Sequence, residues 1–213
     1  MTDQTWPAAD GDTRIKICGL RDPEMAAIAI DAGASAIGLV RHEPSPRHVD
    51  DQTVAAIQAV IPSPVASVQV FVDPPPPTVR ETAGWIQLHG EETEDLVAMA
   101  TGPVVRGFSF SPDAVRRWDQ CPDVKILLID GPGKGAGRGF DHEALLAMRD
   151  ELTTPIVIAG GLCPDSVGPC IETLRPWGVD VSSGVESERG VKDPGRIRAF
   201  CEAVRAADQA NRT

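Results

Sequence analysis

The 213-residue chain lacks several features that mark particular classes of protein. It has no tyrosine and only five phenylalanines, so it offers few aromatic rings for stacking single-stranded nucleic acid. Its formal net charge of −11 is opposite in sign to the surfaces that bind nucleic acid or anionic membranes. No apolar run approaches the roughly 18 residues that span a membrane, and the polar amino terminus has no hydrophobic segment typical of a signal peptide. The sequence therefore predicts a cytoplasmic protein with no nucleic-acid or membrane partner.

The five cysteines lack the spacing of a metal site or of a disulfide framework. They form no C-x-x-C pair, and none has a zinc-like spacing to the four histidines. Their number is odd, which fits free thiols in a reducing compartment better than a set of disulfides. We expect no bound metal. The cysteines are Cys18, Cys121, Cys163, Cys170 and Cys201.

Short, nearly continuous apolar segments recur along the chain. They are typical of strands buried on both faces in a parallel sheet. The predicted strands are 14–18, 36–40, 64–72, 85–89, 103–110, 124–130, 155–160 and 179–184. Segments with helical spacing separate them, at 22–32, 50–61, 91–100, 111–119, 141–151, 164–175 and 193–208. Four consecutive prolines, Pro74 to Pro77, predict a short or irregular connection after the third strand.

These units predict a small α/β fold, a single-domain (β/α)8 TIM barrel with short loops. Eight strands, each followed by a crossover, take up about 25 residues per unit, which is economical for this architecture. We expect the barrel over 14–208, after a disordered or frayed tail at 1–13. A doubly wound open sheet is the alternative, but its first strand usually leads into G-x-G-x-x-G, where this chain has Cys18-Gly19-Leu20.

Polar and ionisable residues follow the ends of the predicted strands. In a parallel barrel all carboxyl ends of the strands meet at one rim, where active sites lie. One such residue alone is usually a cap or a turn former, whereas many at one rim indicate a site. The candidates are Cys18, Arg41, His42, Arg47, Asp73, His89, Ser109, Asp130, Gly160, Gly161, Asp180, Ser182, Ser183 and Gly184.

Two strand ends carry the pattern of a phosphate site. Gly160-Gly161 follow the seventh strand, and Ser182-Ser183-Gly184 lie at the end of the eighth. Glycine lets the backbone approach a ligand closely, and successive N–H groups form a cradle for an anion. The loops after strands 7 and 8 often bind phosphate in barrels, and a short helix starting near Ser183 would add its positive end. We predict a phosphorylated small molecule as ligand; the alternative is that the glycines only form tight turns.

The glycine-rich segment 131–139 does not satisfy a nucleotide-binding motif. Lys134 is not followed by Ser or Thr as in a P-loop, and no frame completes G-x-G-x-x-G. Five glycines instead predict a mobile loop over the rim, with an ordinary surface turn as the alternative.

Cys18 and Asp130 form the candidate acid–base pair. A free thiol has a pKa of about 8.5, and a cationic setting that lowers it would let the thiolate of Cys18 take a proton from carbon. Asp130 ends an apolar strand and is the candidate general acid. The alternative for Cys18 is a small buried hydrophobic side chain.

A series of motifs in chain order identifies a resemblance. Together they closely resemble the phosphoribosylanthranilate isomerase family of tryptophan biosynthesis, over about residues 14 to 205. The motifs are Lys16-Ile17-Cys18-Gly19-Leu20, Ser45-Pro46-Arg47, Val70-Phe71-Val72, Gln87-Leu88-His89-Gly90, Leu128-Ile129-Asp130, Gly135-Ala136-Gly137, Phe140-Asp141, Ala159-Gly160-Gly161-Leu162 and Asp180-Val181-Ser182-Ser183-Gly184-Val185-Glu186.

The resemblance implies a reaction and a set of roles. The reaction is the cofactor-free Amadori rearrangement of N-(5-phosphoribosyl)anthranilate to 1-(2-carboxyphenylamino)-1-deoxyribulose 5-phosphate. By motif, Cys18 is the general base and Asp130 the general acid. Arg47, His89 and Asp180 contact the substrate, with Arg47 at the anthranilate end. The phosphate loops map onto Gly160, Gly161, Ser182, Ser183 and Gly184, and we expect a monomer or a homodimer.

The chain departs from the family pattern after the second strand. Where the family commonly has F-Y-P-K before S-P-R, this chain has Arg41-His42-Glu43-Pro44. Arg41 is therefore a rival of Arg47 for the anthranilate carboxylate. Two other functions stay open, a catalytically silent phosphate-binding barrel and a different sugar-phosphate enzyme such as a synthase or epimerase. Retention of Cys18 and Asp130 argues against the first, and the lack of a strand-end lysine or metal-ligand cluster against the second.

Overall fold

The computed structural model describes Trp6, residues 11–131 and residues 142–212. Eight parallel strands close into a barrel in chain order, which confirms the predicted TIM barrel. The strands are β1 (Arg14–Cys18), β2 (Ala36–Val40), β3 (Ala66–Phe71), β4 (Trp85–Leu88), β5 (Val104–Ser109), β6 (Val124–Asp130), β7 (Ile156–Ala159) and β8 (Gly178–Val181). The barrel closes where β1 pairs with β8, from Arg14 opposite Gly178 to Ile17 opposite Val181.

A helix follows each strand. The helices are α1 (Pro23–Asp31), α2 (Asp51–Gln58), α3 (Pro76–Glu81), α4 (Glu94–Val97), α5 (Pro112–Asp119), α6 (His142–Met148), α7 (Pro164–Leu174) and α8 (Pro194–Ala210). Several begin at a side-chain cap; the carboxylate of Asp22, for example, accepts the Met25 N–H at 2.7 Å. Among the described residues, no helix is both long and apolar enough to cross a membrane.

The connection after β4 differs from the sequence prediction. Helix α4 has one turn, whereas the pattern predicted helix over 91–100. The Arg106 guanidinium on β5 donates to the carbonyls of Leu88 and Gly90 at 2.8 Å each and lies 3.2 Å from the Glu92 carboxylate. Glu92 also accepts the N–H of Gly90 at 2.8 Å. This buried network fixes the loop after β4 in a non-helical path.

Side chains on each strand alternate between the barrel interior and the surrounding helices. On β6, for instance, Ile126 and Leu128 belong to the inner cluster, whereas Leu127 and Ile129 pack in the outer cluster under the helices. Asp130 continues the inward series. The same alternation on β1 sends Ile15 and Ile17 outward, so Lys16 and Cys18 face the interior.

The amino-terminal end of the barrel is covered by a tryptophan. The Trp6 ring is buried, with its centroid 5.9 Å from that of Trp85 and 5.6 Å from that of Trp177. Nearby, Thr13 donates its hydroxyl to Asp208 on α8 at 2.6 Å. Most of the tail predicted at 1–13, namely 1–5 and 7–10, lies outside the described residues, so its frayed character stays a prediction there.

The end of the eighth strand was predicted incorrectly. Strand β8 stops at Val181, and Ser183–Val185 form a 3-10 turn rather than the last residues of a strand. A short antiparallel hairpin then follows, with strands β9 (Glu186–Glu188) and β10 (Val191–Lys192). This hairpin is not predictable from the sequence, because strands of three and two residues are too short to carry an alternating pattern.

Candidate active site

Cys18 ends β1 with its side chain inside the barrel mouth. It packs with Val40 and Val70 from the two following strands and is almost fully buried. The neighbouring position on β2 is Gly38, where a Cβ would lie 2.7 Å from the Cys18 Sγ. Burial raises the pKa of the Cys18 thiol, while the ammonium groups of Lys16 and Lys192 act in the opposite direction. The expected cationic setting is present, but desolvation outweighs its effect.

A buried ion pair lies one layer below this thiol. The Lys16 ammonium, with no exposed surface, donates to Asp180 Oδ1 on β8 at 2.7 Å. Burial acts to lower the pKa of Lys16, but the charge of Asp180 opposes it, and the pKa is raised overall. Asp180, predicted to contact the substrate, is thus engaged by a lysine that the sequence analysis did not single out as functional. The sequence does carry a signal for Lys16, because it is a charged residue inside an apolar strand, two positions before Cys18.

Asp130 and His89 meet on the other side of the mouth. The His89 Nε2 lies 3.6 Å from Asp130 Oδ2, and the Gln87 amide nitrogen lies 2.9 Å from His89 Nδ1. The histidine ring fits because β5 has Gly107 there, where a Cβ would come within 2.5 Å of Nδ1. Both side chains are partly open to solvent. The structure therefore brings the predicted acid together with one predicted substrate contact.

The two predicted phosphate loops lie side by side. Gly160 and Gly161 adopt φ values of +87° and +71°, a left-handed conformation that glycine takes without a steric penalty. A Cβ on Gly161 would meet nothing within 4 Å, so this backbone faces open space. Gly184 packs directly against the carbonyl of Leu162, which joins the second loop to the first. Ser183 is exposed and begins the 3-10 turn, which is shorter than a helix.

Arg47 reaches the same rim from the loop after β2. Its Nε and Nη2 donate to the two carboxylate oxygens of Glu186 at 2.6 and 2.8 Å. Burial acts to raise the pKa of Glu186, but hydrogen bonds from Arg47 and Lys192 lower it to about 2. Glu186 ends the motif that follows the eighth predicted strand, and Lys192 belongs to none of the motifs. No local signal could have linked them to Arg47, which lies 139 residues from Glu186.

The rival arginine is engaged elsewhere. Arg41 pairs with the exposed carboxylate of Asp51 and donates from Nη1 to the Gln69 side chain at 3.2 Å.

Most of the glycine-rich loop predicted at 131–139 falls at 132–139, outside the described residues. Within the residues that the structure covers, no group of three or more His, Cys, Asp or Glu side chains could hold a metal ion.

Comparison with known proteins identifies the family of this chain. A family model described as N-(5'phosphoribosyl)anthranilate (PRA) isomerase matches residues 15–203. The chain belongs to this family. An N-(5'-phosphoribosyl)anthranilate isomerase of Geobacter sulfurreducens is 37% identical over 198 residues, which are 88% of this chain and 96% of that protein. The resemblance to PRA isomerases stated from the motifs is therefore confirmed, and with it the isomerase activity and the assignment to tryptophan biosynthesis.

Solved structures of PRA isomerases share the fold. The crystal structure from Thermotoga maritima superposes with a TM-score of 0.82 at 30% identity, covering 91% of this chain and 99% of that one. A PRA isomerase in complex with reduced 1-(o-carboxyphenylamino)-1-deoxyribulose 5-phosphate gives a TM-score of 0.79 at 30% identity, with the same coverage of both chains. PRA isomerase relatives thus include a chain that binds a sugar phosphate bearing a carboxyphenyl group.

Proposed function

We propose that Cys18 is the general base and Asp130 the general acid of the PRA isomerase reaction in this chain. The substrate is N-(5-phosphoribosyl)anthranilate and the product is 1-(2-carboxyphenylamino)-1-deoxyribulose 5-phosphate. Arg47 binds the anthranilate carboxylate, and the backbone of Gly160, Gly161 and the Ser182–Gly184 loop binds the phosphate. His89 and Asp180 complete the contacts to the substrate. The sugar-phosphate substrate is its only proposed partner, and the chain works as a monomer or a homodimer.

The reaction needs one acid and one base on a substrate held at both ends. Asp130 gives its proton to the ribose ring oxygen, and the bond from C1′ to that oxygen breaks, leaving a cationic Schiff base. The Cys18 thiolate then removes the proton from C2′, which gives an enolamine. Loss of the enol proton and protonation at C1′ complete the ketoamine. Every step is a proton transfer or a carbon–oxygen cleavage, so the proposal requires no cofactor.

The position of the two side chains around the barrel carries this assignment. Cys18 ends β1 and Asp130 ends β6, both on the inward series of their strands. Strands β7 and β8 lie between them in the closed sheet, and these two strands lead into the glycine loops. A phosphate held by those loops fixes one end of the sugar between an acid on one side and a base on the other. This arrangement supports acid–base isomerisation of a sugar phosphate.

Each remaining contact has a physical rationale. Gly160 and Gly161 both have positive φ values, and successive N–H groups in a turn of this kind can form an anion cradle. Arg47 offers a planar guanidinium, which suits a planar carboxylate. His89 lies beside Asp130 and can hold its carboxyl group in place. The Lys16–Asp180 pair lies beneath Cys18, where the Lys16 ammonium acts to lower the pKa of the thiol and the Asp180 carboxylate acts to raise it.

Removal of the two reacting groups tests the proposal. Cys18→Ala and Asp130→Asn should each lower kcat by about 10²–10⁴-fold, the usual contribution of a positioned acid or base. Loss of substrate fluorescence gives the rate, and thermal unfolding verifies the fold. Cys121→Ala, which removes a buried thiol beside α5, is the matched control and should retain wild-type turnover.

The pH profile gives an independent readout. Only the thiolate can act as base, so in Asp130→Asn, where the acid no longer titrates, the residual kcat/KM should rise with pH through the pKa of Cys18. Because burial raises that pKa, the rise should be centred above the value of an ordinary thiol. A Cys18→Ala enzyme that keeps turnover within a factor of about three of wild type would contradict the assignment, since that loss is far below the range for a general base.

A further inference from the structure

We propose that Glu186 and Lys192 are positioning residues that hold both ends of the substrate site in one fixed geometry. The inference rests on the proposed function, because it takes Arg47 as the carboxylate contact and the loop at Ser182 as part of the phosphate site. Glu186 and Lys192 act through the residues they hold. They form the base of the β9–β10 hairpin, where Lys192 pairs with Glu186 in register.

Glu186 fixes the orientation of Arg47. Its Oε1 accepts from Arg47 Nε at 2.6 Å, and its Oε2 accepts from Arg47 Nη2 at 2.8 Å and from the Gly190 N–H at 3.0 Å. Two parallel hydrogen bonds determine the plane of a guanidinium as well as its position. The edge formed by Nε and Nη2 faces Glu186, so Nη1 on the opposite edge is left for an incoming carboxylate.

Lys192 joins this pair to the phosphate loop. Its ammonium donates to Glu186 Oε1 at 2.8 Å, to the Ser182 carbonyl at 2.9 Å and to the Ser182 hydroxyl at 3.2 Å. All three protons of the ammonium therefore have an acceptor. Since the lysine and the glutamate are both buried, water offers little competition for these bonds. One ammonium thus connects the loop after β8 to the residue that orients Arg47.

Close packing holds the arginine against this network. A Cβ on Gly19 would lie 2.5 Å from Cδ of Arg47, so the arginine stem passes directly over the residue after Cys18. At the tip of the hairpin, a Cβ on Gly190 would lie 2.8 Å from the carbonyl of Pro46, which precedes the arginine. The guanidinium is therefore confined on one side by β1 and on the other by the hairpin.

The charges of the network suit a substrate with an anion at each end. Arg47 and Lys192 carry two positive charges and Glu186 one negative charge, which leaves one net positive charge at the rim. Without Glu186 the two cations would repel each other and the arginine would have no fixed direction. Without Lys192 the buried carboxylate would neutralise Arg47 completely and Ser182 would lose its anchor.

Binding at the two ends can be measured separately. Reduced 1-(o-carboxyphenylamino)-1-deoxyribulose 5-phosphate, titrated by calorimetry, probes both ends, whereas competitive inhibition by inorganic phosphate probes one. Glu186→Gln should weaken binding of the first probe about 10-fold or more, as expected when a charge-assisted contact loses its preorganisation, with phosphate inhibition nearly unchanged. Lys192→Met should weaken both. Glu188→Gln, the same change on the exposed side of the hairpin, is the matched control and should alter neither.

The binding results distinguish failure of this proposal from failure of the role assigned to Arg47. Equal weakening of both probes in Glu186→Gln would mean a structural role only, and wild-type binding of both probes in Glu186→Gln and Lys192→Met would overturn the proposal. Arg47→Ala is measured alongside: normal binding of the carboxyphenyl probe in that variant would refute the assigned role of Arg47 itself. If a single variant does not fold, Glu186→Gln combined with Lys192→Met keeps the net charge and must still weaken both probes.

Discussion

Gly38 on β2 is the position where the smallest change should most directly disturb the proposed base. A Cβ there would lie 2.7 Å from the Sγ and 2.9 Å from the Cα of Cys18. Comfortable contacts between such atoms are about 3.5–4.0 Å, so Gly38→Ala requires a displacement of about 1 Å. Rotation of the thiol relieves only the first contact. The second involves the backbone, and Cys18 pairs with Gly38 in the β1–β2 register, so the strands themselves must separate.

The expected magnitudes follow from this overlap. Forcing an extra methyl group into a packed interior costs about 1–3 kcal/mol. For a domain of this length, that loss corresponds to a Tm lower by about 2–12 °C. A misplacement of about 1 Å of a reacting group can cost about 10²-fold in rate. We therefore expect Gly38→Ala to fold and to bind phosphate, with kcat reduced about 100-fold.

A second glycine separates loss of stability from loss of function. Gly178 begins β8 at the opposite end of the barrel, and a Cβ there would lie 3.0 Å from the carbonyl of Arg14. Gly178→Ala should lower the Tm and leave kcat near wild type. Fluorescence kinetics give kcat, and thermal unfolding gives the Tm, for both variants. Wild-type turnover in Gly38→Ala, or an equal loss in both variants, would refute the argument from the position of the thiol.

Two further predictions concern the ends of the substrate. Arg47→Lys should raise KM by about 10-fold, because an ammonium cannot replace the bidentate guanidinium, whereas Arg41→Ala should stay near wild type since Arg41 is engaged with Asp51 and Gln69. The reverse result in steady-state kinetics would move the carboxylate contact to Arg41. Inorganic phosphate should compete with the substrate, and Gly161→Ala should weaken this inhibition about 10-fold, given a left-handed backbone that costs about 1–2 kcal/mol with a side chain. Unchanged phosphate inhibition would exclude this glycine from the cradle.

The strands were predictable because their burial is continuous along the sequence. The bounds of β1, β2 and β6 agree with the apolar runs to the residue, since each run is bordered by polar or glycine residues that cannot extend it. The one-turn α4 was not predictable. The loop before it is held by Arg106 of the next strand, which donates to the carbonyls of Leu88 and Gly90, and the pattern within 91–100 gives no information on that contact.

In the candidate site too, some residues could be predicted from the local sequence and others could not. Cys18, Asp130 and the glycine loops could be named because each ends a recognisable strand at a rim whose chemistry the fold determines. Glu186, Lys192 and the partnership of Lys16 with Asp180 depend on contacts between distant segments; Lys16 and Asp180, for example, are 164 residues apart. Hydrophobic periodicity indicates which side of a strand is buried. It does not indicate which distant residue pairs with a charged side chain in the barrel.

The seal at the amino-terminal end of the barrel has a consequence for how the chain folds during synthesis. Trp6 and Thr13 are synthesised well before their partners Trp177 and Asp208. Strand β1 likewise pairs with β8, so the sheet cannot close until β8 has been synthesised. Until then the strand edges and the apolar interior stay open to other chains, and contacts of such long sequence separation form slowly. Pairing of β1 with β8, rather than the appearance of any single strand–helix unit, is thus the step that removes these open edges.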